Sequence, residues 1–515
     1  MEESTQLDPL STKPPRKESG FAGDVVKLAS GTLFAQALGF VVMPILSRLY
    51  APEAFGLVAL FTSITTILVV IANLRYELSI MLPESDDESA NLLALSLSFT
   101  VLTTLTTIVL IALGKNLIPT WLNEPAIGSY LWLVPVSVLF GGAFTALNYW
   151  NTRTKQFGRL SIARIIRSVG TSSAQLGAGL SGYATGGAMI GANVLGQMVS
   201  AAVLGGQIWR DDHRLFRQSI SWKGMMAGLK RYRRFPLFTV WSGLLNSISW
   251  QLPVFLLSFY FSPNIVGYYA LGNRVLRIPM NLLGGAIGQV FFQRASEAKN
   301  EGDLAIVVEN TFARLVRLGL FPSLMLTFIG RDAFVIFFGN QWSEAGIYVQ
   351  ILGIWTFFWF ISSPISVLFS VLERQDLGLY INILVFISRL LVLGIGGYLQ
   401  NARLTIMLFG ASGILVYGYL SVLLINHSGV SWKKIWQILL TNSIIFIPAG
   451  LLMLVAIAMS APSWLMLLLA VIISGIYFLY VVKTDPQLHI IVNKVPVFNK
   501  VLQKIIGKIR YEKSN

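Results

Sequence analysis

Arg274, Arg277 and Arg389 lie inside long apolar stretches. No carboxylate falls within residues 265–293 to pair with the first two; Glu297 comes only afterwards. A guanidinium presents donors in a planar fork that matches a phosphate or carboxylate bidentately. Arg277 follows Arg274 by three residues and so shares its helix face, and Pro279 next to them would loosen that helix. Cations also stand at the ends of apolar stretches: Arg48, Arg164, Arg167 and, more weakly placed, Arg153. Glu77, beside Arg75, is the best-placed carboxylate, with an Arg75–Glu77 surface pair as its plainer role and ion coupling as its functional one. The chemistry these residues offer is anion binding. Catalysis has no foothold. Cysteine is absent, and His213, His427 and His489 all fall in or beside loops. No metal set, triad or nucleotide-phosphate loop is visible.

The elements that hold these arginines must be membrane-spanning helices. Hydrophobic residues make up 54% of the chain and charged residues 12%, against about 25% charged in soluble domains. A bilayer core takes about 20 apolar residues as a helix. Fourteen spans are predicted, near 25–49, 54–76, 89–113, 128–150, 159–180, 184–208, 236–260, 265–293, 311–330, 344–372, 376–399, 404–426, 435–458 and 463–482. With the N-terminus inside, 32 of the 39 Lys and Arg fall on the inner side, and only Arg48, Lys115, Arg331 and Arg403 outside. That is the positive-inside bias, and it puts both termini in the cytoplasm. The net charge of +15 therefore reads as orientation and contact with anionic lipid, not as nucleic-acid binding. The acidic run Glu84, Asp86, Asp87 and Glu88 in the inner loop 2–3 is the weak spot of the pattern.

Arg274 would sit roughly 14 Å below the outer surface at 1.5 Å per residue. A charge there is costly and cannot readily snorkel out, so a watery cavity with an anionic ligand is expected. A structural arginine bonded to carbonyls of a neighbouring helix is the competing role. Trp121, Trp150, Trp209, Trp342 and Trp464 near span ends suggest interfacial belts. Asn148, Asn246, Gln251, Asn273 and Gln289 suggest interhelical bonds or cavity lining.

The chain divides into a disordered cytoplasmic leader (1–23), a six-span N-lobe (24–208), a basic linker (209–235), a six-span C-lobe (236–426), two further spans (427–483) and a basic amphipathic tail (484–515). The tail alternates Lys with Phe498, Val501, Leu502 and Ile505 as interfacial helices do. An internal repeat links the lobes. Ser47, Pro52, Gly56, Ala59 and Leu60 recur 211 residues later as Ser258, Pro263, Gly267, Ala270 and Leu271. Six spans separate the copies, which implies parallel repeats about an axis normal to the membrane, with a site between them.

The segments GTLFAQALGFVVMPILSRLYAPEAFG, RYELSIMLPESDDE, ALNYWNTRTKQF and GYYALGNRVLRIPMNLLGGAIGQVFFQRASE resemble the polysaccharide biosynthesis (Wzx-type) flippases of the multidrug/oligosaccharidyl-lipid/polysaccharide superfamily. The resemblance implies an all-α polytopic membrane protein, two six-helix bundles in a V plus two C-terminal helices. It implies a carrier, not an enzyme, that moves undecaprenyl-pyrophosphate-linked oligosaccharide across the bacterial cytoplasmic (inner) membrane by alternating access. It calls for no cofactor, leaves proton or sodium coupling open, and points to membrane lipids, a polysaccharide polymerase and chain-length proteins as partners. Arg48 in SRLYAP and Arg274 in LGNRVLRIP fall where related lipid II flippases hold pyrophosphate. Span 2, uncharged from Ala54 to Leu74, departs from lipid II carriers. A multidrug or ion antiporter of the same fold, a lipid II flippase and a membrane enzyme stay open as alternatives. Cationic drugs would need buried carboxylates, and a polymerase or ligase would need a large outer loop.

The topology has a direct test. Reporter fusions after Lys13 and after Lys504 should both read as cytoplasmic, and an external signal from either would overturn the orientation.

Overall fold

The computed structural model describes residues 21–278, 280 and 284–484 of this chain; the leader up to residue 20 and the tail from 485, with its expected amphipathic helix, lie outside them. Every element among the described residues is helical. In chain order the N-terminal half holds α1 (Phe21–Leu49), α2 (Pro52–Ala72), α3 (Asp86–Gly114), the short α4 (Leu117–Trp121), α5 (Leu133–Arg153), α6 (Phe157–Leu180), α7 (Gly186–Ser219) and α8 (Trp222–Arg231). The C-terminal half holds α9 (Val240–Tyr260), α10 (Pro263–Leu276), α11 (Gly285–Glu301), α12 (Leu304–Phe338), α13 (Ser343–Ile365), the short α14 (Leu368–Val371), α15 (Gln375–Tyr398) and α16 (Ala402–His427). The last two are α17 (Trp432–Ala458) and α18 (Ser463–Thr484).

Eleven helical stretches are long and apolar enough to cross a membrane on length and composition alone. The other three predicted spans coincide with α6, α9 and the α10–α11 region. These are the segments in which arginine, glutamine, asparagine and serine dilute the apolar residues, so composition alone does not establish fourteen. Within the segment expected as span 8, α10 ends at Leu276 and α11 begins at Gly285, with Met280 and Gly284 between them in π-helical conformation.

Loop 209–235 is helical and docked where a linker is expected. α7 runs for 34 residues, about 51 Å against the roughly 30 Å of a hydrocarbon core, and α8 packs back on α3. Asn91 of α3 pins the turn between α7 and α8. Its amide donates to the Ser219 carbonyl at 2.8 Å and accepts from the Ser221 N–H at 2.9 Å. The acidic run of loop 2–3 now has its explanation. Ser85 caps α3 by accepting from the Glu88 N–H, and acidic residues favour a helix N-terminus. Asp86 pairs with Arg153 and Glu88 with Arg231. Two of the acids thus serve as counter-ions, one to α5 and one to the basic linker.

Two of the five expected belt tryptophans are corrected. Trp150 and Trp342 are fully buried. Trp150 donates to Asp212 at 3.1 Å, and Trp342 donates to the Ser47 carbonyl at 2.7 Å. An indole buries well in protein when its N–H finds an acceptor. Trp121, Trp209 and Trp464 are exposed.

The repeat is where the two halves meet. α2 packs along α10, and there the repeated glycines face each other's chain. A Cβ on Gly56 would collide with the Pro263 carbonyl, and one on Gly267 with the Pro52 carbonyl. The repeated serines cross over too. Ser47 donates to the Phe338 carbonyl at 3.3 Å and Ser258 to the Leu122 carbonyl at 2.6 Å. Leu60 and Leu271 are both about 1% exposed beneath this seam. Such reciprocity is what a two-fold axis between the copies produces. It seals the end of the molecule at which α1 and α9 finish.

Gly267→Val should hold this seal open, because the backbones can no longer touch. The chain has no native cysteine, so Ser47→Cys, buried here, reports directly. It should resist a membrane-impermeant maleimide in the parent and react in the Gly267→Val background; equal protection in both would refute the seal.

Candidate functional site

Arg274 lies on the last turn of α10, deep in the molecule, and yet its side chain is exposed. That combination marks a group lining an internal open space. One guanidinium nitrogen stands 3.3 Å from where a Cβ on Gly39 of α1 would be, so the side chain reaches from the C-terminal half to the N-terminal one. It has no hydrogen bond or ion pair with any described residue. Arg167 on α6 is the same kind of group: deep, exposed and unpaired among the described residues. Arg164, one turn earlier, donates to the Thr32 hydroxyl of α1 at 2.6 Å. Thr32 and Gly39 share a face of α1 and are roughly 10 Å apart along it. α1 therefore arrays Arg164 and Arg274 in file. A cation in such a medium costs several kcal/mol unless an anion or water meets it.

Arg277 and Arg389 are differently employed. Trp250 of α9 lies between them, with the Arg277 guanidinium carbon 4.8 Å and that of Arg389 4.4 Å from its ring centre. Arg277 also lies 5.7 Å from the Trp359 ring and leaves its Nε without a partner. Arg389 is 4% exposed. It donates to the Ser249 carbonyl at 2.9 Å, the Ser249 hydroxyl at 3.2 Å and the Tyr417 hydroxyl at 2.8 Å. It fits the structural alternative, a packing group within the C-terminal half, and the structure does not bring it into the open space.

The remaining predicted residues lie apart from these. Arg48 is exposed at the sealed end, in a crevice with Pro44, Ile45, Ile336 and Phe337, and donates to the Ile336 carbonyl at 3.1 Å. Arg153 is a clamp: it donates to Asp86 and to the carbonyls of Ile80, Pro83 and Glu84. Glu77 does pair with Arg75, at 3.5 Å, but as a buried group at 2% exposure and not on the surface. Its second oxygen has no partner, and burial raises its carboxyl above the ordinary value despite Arg75. Arg75 in turn packs against Gly243 of α9, a second junction between the halves. Asn246 is exposed and Gln251 accepts from Ser63 at 2.9 Å. The sequence reading passed over Gly39, Thr32, Trp250 and Trp359. Trp250 did carry a signal: a tryptophan in mid-span is not a belt residue.

The profile of a family described as polysaccharide biosynthesis proteins matches residues 45–346, more than half of the chain. The chain belongs to this family. No curated protein matches it significantly. Among solved structures, this member of the polysaccharide biosynthesis family resembles the lipid II flippase MurJ in an inward closed conformation, with a TM-score of 0.69 at 13% identity over 89% of this chain and 99% of that one. It resembles an inward-facing multidrug resistance transporter of the MOP superfamily at 0.59 and 15% identity, over 79% and 98%. It also resembles a MOP-superfamily transporter from Pyrococcus furiosus, described as having a binding pocket of reversed polarity, at 0.51 and 14% identity over 79% and 97%. At these identities the likeness establishes the fold alone, the one that these transporters share.

The two kinds of arginine should separate in stability. Arg389→Ala leaves the Ser249 and Tyr417 acceptors stranded and a cavity behind, and should cost about 3 kcal/mol. Arg274→Ala removes an unpaired charge and should stay within about 0.5 kcal/mol of the parent. Thermal unfolding of the purified variants checks this; equal losses would erase the distinction.

Proposed function

We propose that the protein carries an undecaprenyl-pyrophosphate-linked oligosaccharide from the cytoplasmic to the outer leaflet of the bacterial cytoplasmic membrane, by alternating access, for surface polysaccharide assembly such as O-antigen, capsule or exopolysaccharide. The observation that carries the reading is Arg274: deep, open to an internal space, and without a counter-ion among the described residues. A pyrophosphate is the group on such a lipid that an apolar medium cannot solvate. Arg274 meets it with a bidentate fork, and Arg164 and Arg167 extend positive charge along α1 and α6. Family membership and the transporter fold support a lipid-linked saccharide as the cargo.

The cycle follows from the seam. With the repeated glycines in contact the outer end is shut, and the headgroup enters from the opposite side. Parting α2 from α10 releases it outward, as rocking of parallel repeats about a fixed site would do. The loosening expected at Pro279 falls outside the described residues. Proton or sodium coupling in this scheme runs through Glu77, the buried carboxylate beside the Arg75–Gly243 junction. Both termini stand in the cytoplasm.

Arg274→Ala should lose about 3 kcal/mol of headgroup binding, near a hundredfold, and abolish transport in reconstituted vesicles while the protein remains inserted. Arg274→Lys should keep partial activity, since the charge stays and the fork is lost. Arg403→Ala should transport normally, because Arg403 pairs only with Glu344 on the exposed surface. Normal transport by Arg274→Ala would make that residue a packing group.

A further inference from the structure

A second cavity lies wholly within the C-terminal half, with a volume of about 290 Å³. Small-ligand sites run roughly from 300 to 1,000 Å³, so this one has room for a single ring, not for a chain. Its polar lining comes from four helices and one helix end: Asn246 and Ser249 of α9, Ser362 and Ser363 of α13 with Ser366 just beyond it, Asn382 of α15 and Tyr417 of α16. Trp250 and Trp359 form an apolar wall. No Asp, Glu, Lys or Arg lines it. The ligand that fits is neutral, dense in hydroxyl groups, and apolar on one face.

The hydrogen-bond polarity of the lining sharpens this. Arg389 can only donate. The Ser249 and Tyr417 hydroxyls both accept from it, so their own protons are free to donate toward the cavity. Ser366 spends its proton on the Ser363 carbonyl, and Ser362, also in the lining, spends its own on the Trp359 carbonyl. Those two oxygens are left as acceptors. The Asn246 and Asn382 amides supply both roles. A set of donors and acceptors interleaved around an indole wall matches a pyranose, whose hydroxyls both donate and accept and whose C–H face packs on aromatic carbon.

Position ties this cavity to the cation site. It shares Trp250 with Arg277, the residue three positions beyond Arg274. Its lining sits near the start of α9 and α15 and toward the end of α13 and α16, the half of the bundle remote from the sealed seam. A headgroup entering opposite the seam reaches Arg274 with this cavity beside it.

We propose that the cavity receives one neutral sugar ring of the lipid-linked saccharide while the pyrophosphate is held at Arg274. It is a sugar subsite built on the flippase reading above. The test uses the full-length protein in nanodiscs and two probes: undecaprenyl pyrophosphate, and undecaprenyl pyrophosphate bearing one N-acetylhexosamine. The glycosylated probe should bind the parent about tenfold more tightly. Asn382→Leu and, separately, Ser363→Val should abolish that gain and leave affinity for the bare pyrophosphate unchanged. Both substitutions put a modest apolar side chain at a position with open space, and either one suffices if the other fails to fold. Persistence of the gain in these variants, absence of a gain in the parent, or equal weakening toward both probes would overturn the subsite. Arg274→Ala reports on the underlying reading by a different pattern, a loss toward both probes. If it binds both at parental strength, the pyrophosphate assignment fails, while the gain from the sugar is still read from the ratio of the two affinities.

Discussion

An unpaired guanidinium inside an apolar protein is a standing free-energy debt, and the architecture is arranged around it. Water or an anion must be able to reach Arg274 and Arg167, or these charges would not survive burial. On the proposed carrier reading, the space they line opens to one side of the membrane at a time, since a continuous aqueous path would be a leak. The fold meets this with two halves that touch tightly at one end. Glycine is required there because the carbonyls of Pro52 and Pro263 occupy the space of any side chain on Gly267 and Gly56. Serine is required because its hydroxyl bridges to the opposite half.

Arginine has two occupations in this protein, and chemistry divides them. Arg389 and Arg153 spend their donors on protein carbonyls, hydroxyls and a carboxylate. They hold helices and a loop in register. Arg274 and Arg167 spend none among the described residues. Arg277 stands between the two groups, with its charge spread over indole faces and its Nε unpartnered. Cation–π contact lowers the cost of a buried guanidinium without neutralising it, so Arg277 can stay charged beside a ligand site.

The polar surface built from α7, α8 and the start of α3 is more ordered than its polarity suggests. α7 runs well past the membrane, α8 folds back, and the acidic start of α3 receives Arg153 and Arg231. The connection between halves is thus anchored to the N-terminal half. The halves meet where α2 packs on α9 and α10 and where α1 packs on α12.

The apolar runs determined by themselves that this chain is a bundle of membrane helices. A hydrocarbon core admits little else. The 211-residue repeat was also legible, because a seam in which two backbones touch tolerates only Pro, Gly and Ser at set positions. The depth of Arg274 followed from counting residues along a helix. Tertiary structure alone decided which arginines are free. Arg277 and Arg389 look alike in sequence to Arg274, and only the neighbours Trp250, Ser249 and Tyr417, from helices distant in sequence, consign Arg389 to packing. The same holds for Glu77 and for Trp150 and Trp342, whose burial depends on what packs over them. It holds for the serine and asparagine cavity as well, since four helices contribute one or two residues each and no single stretch betrays it. Local sequence reports the face a residue takes on its own helix; what stands opposite that face is set by packing between helices.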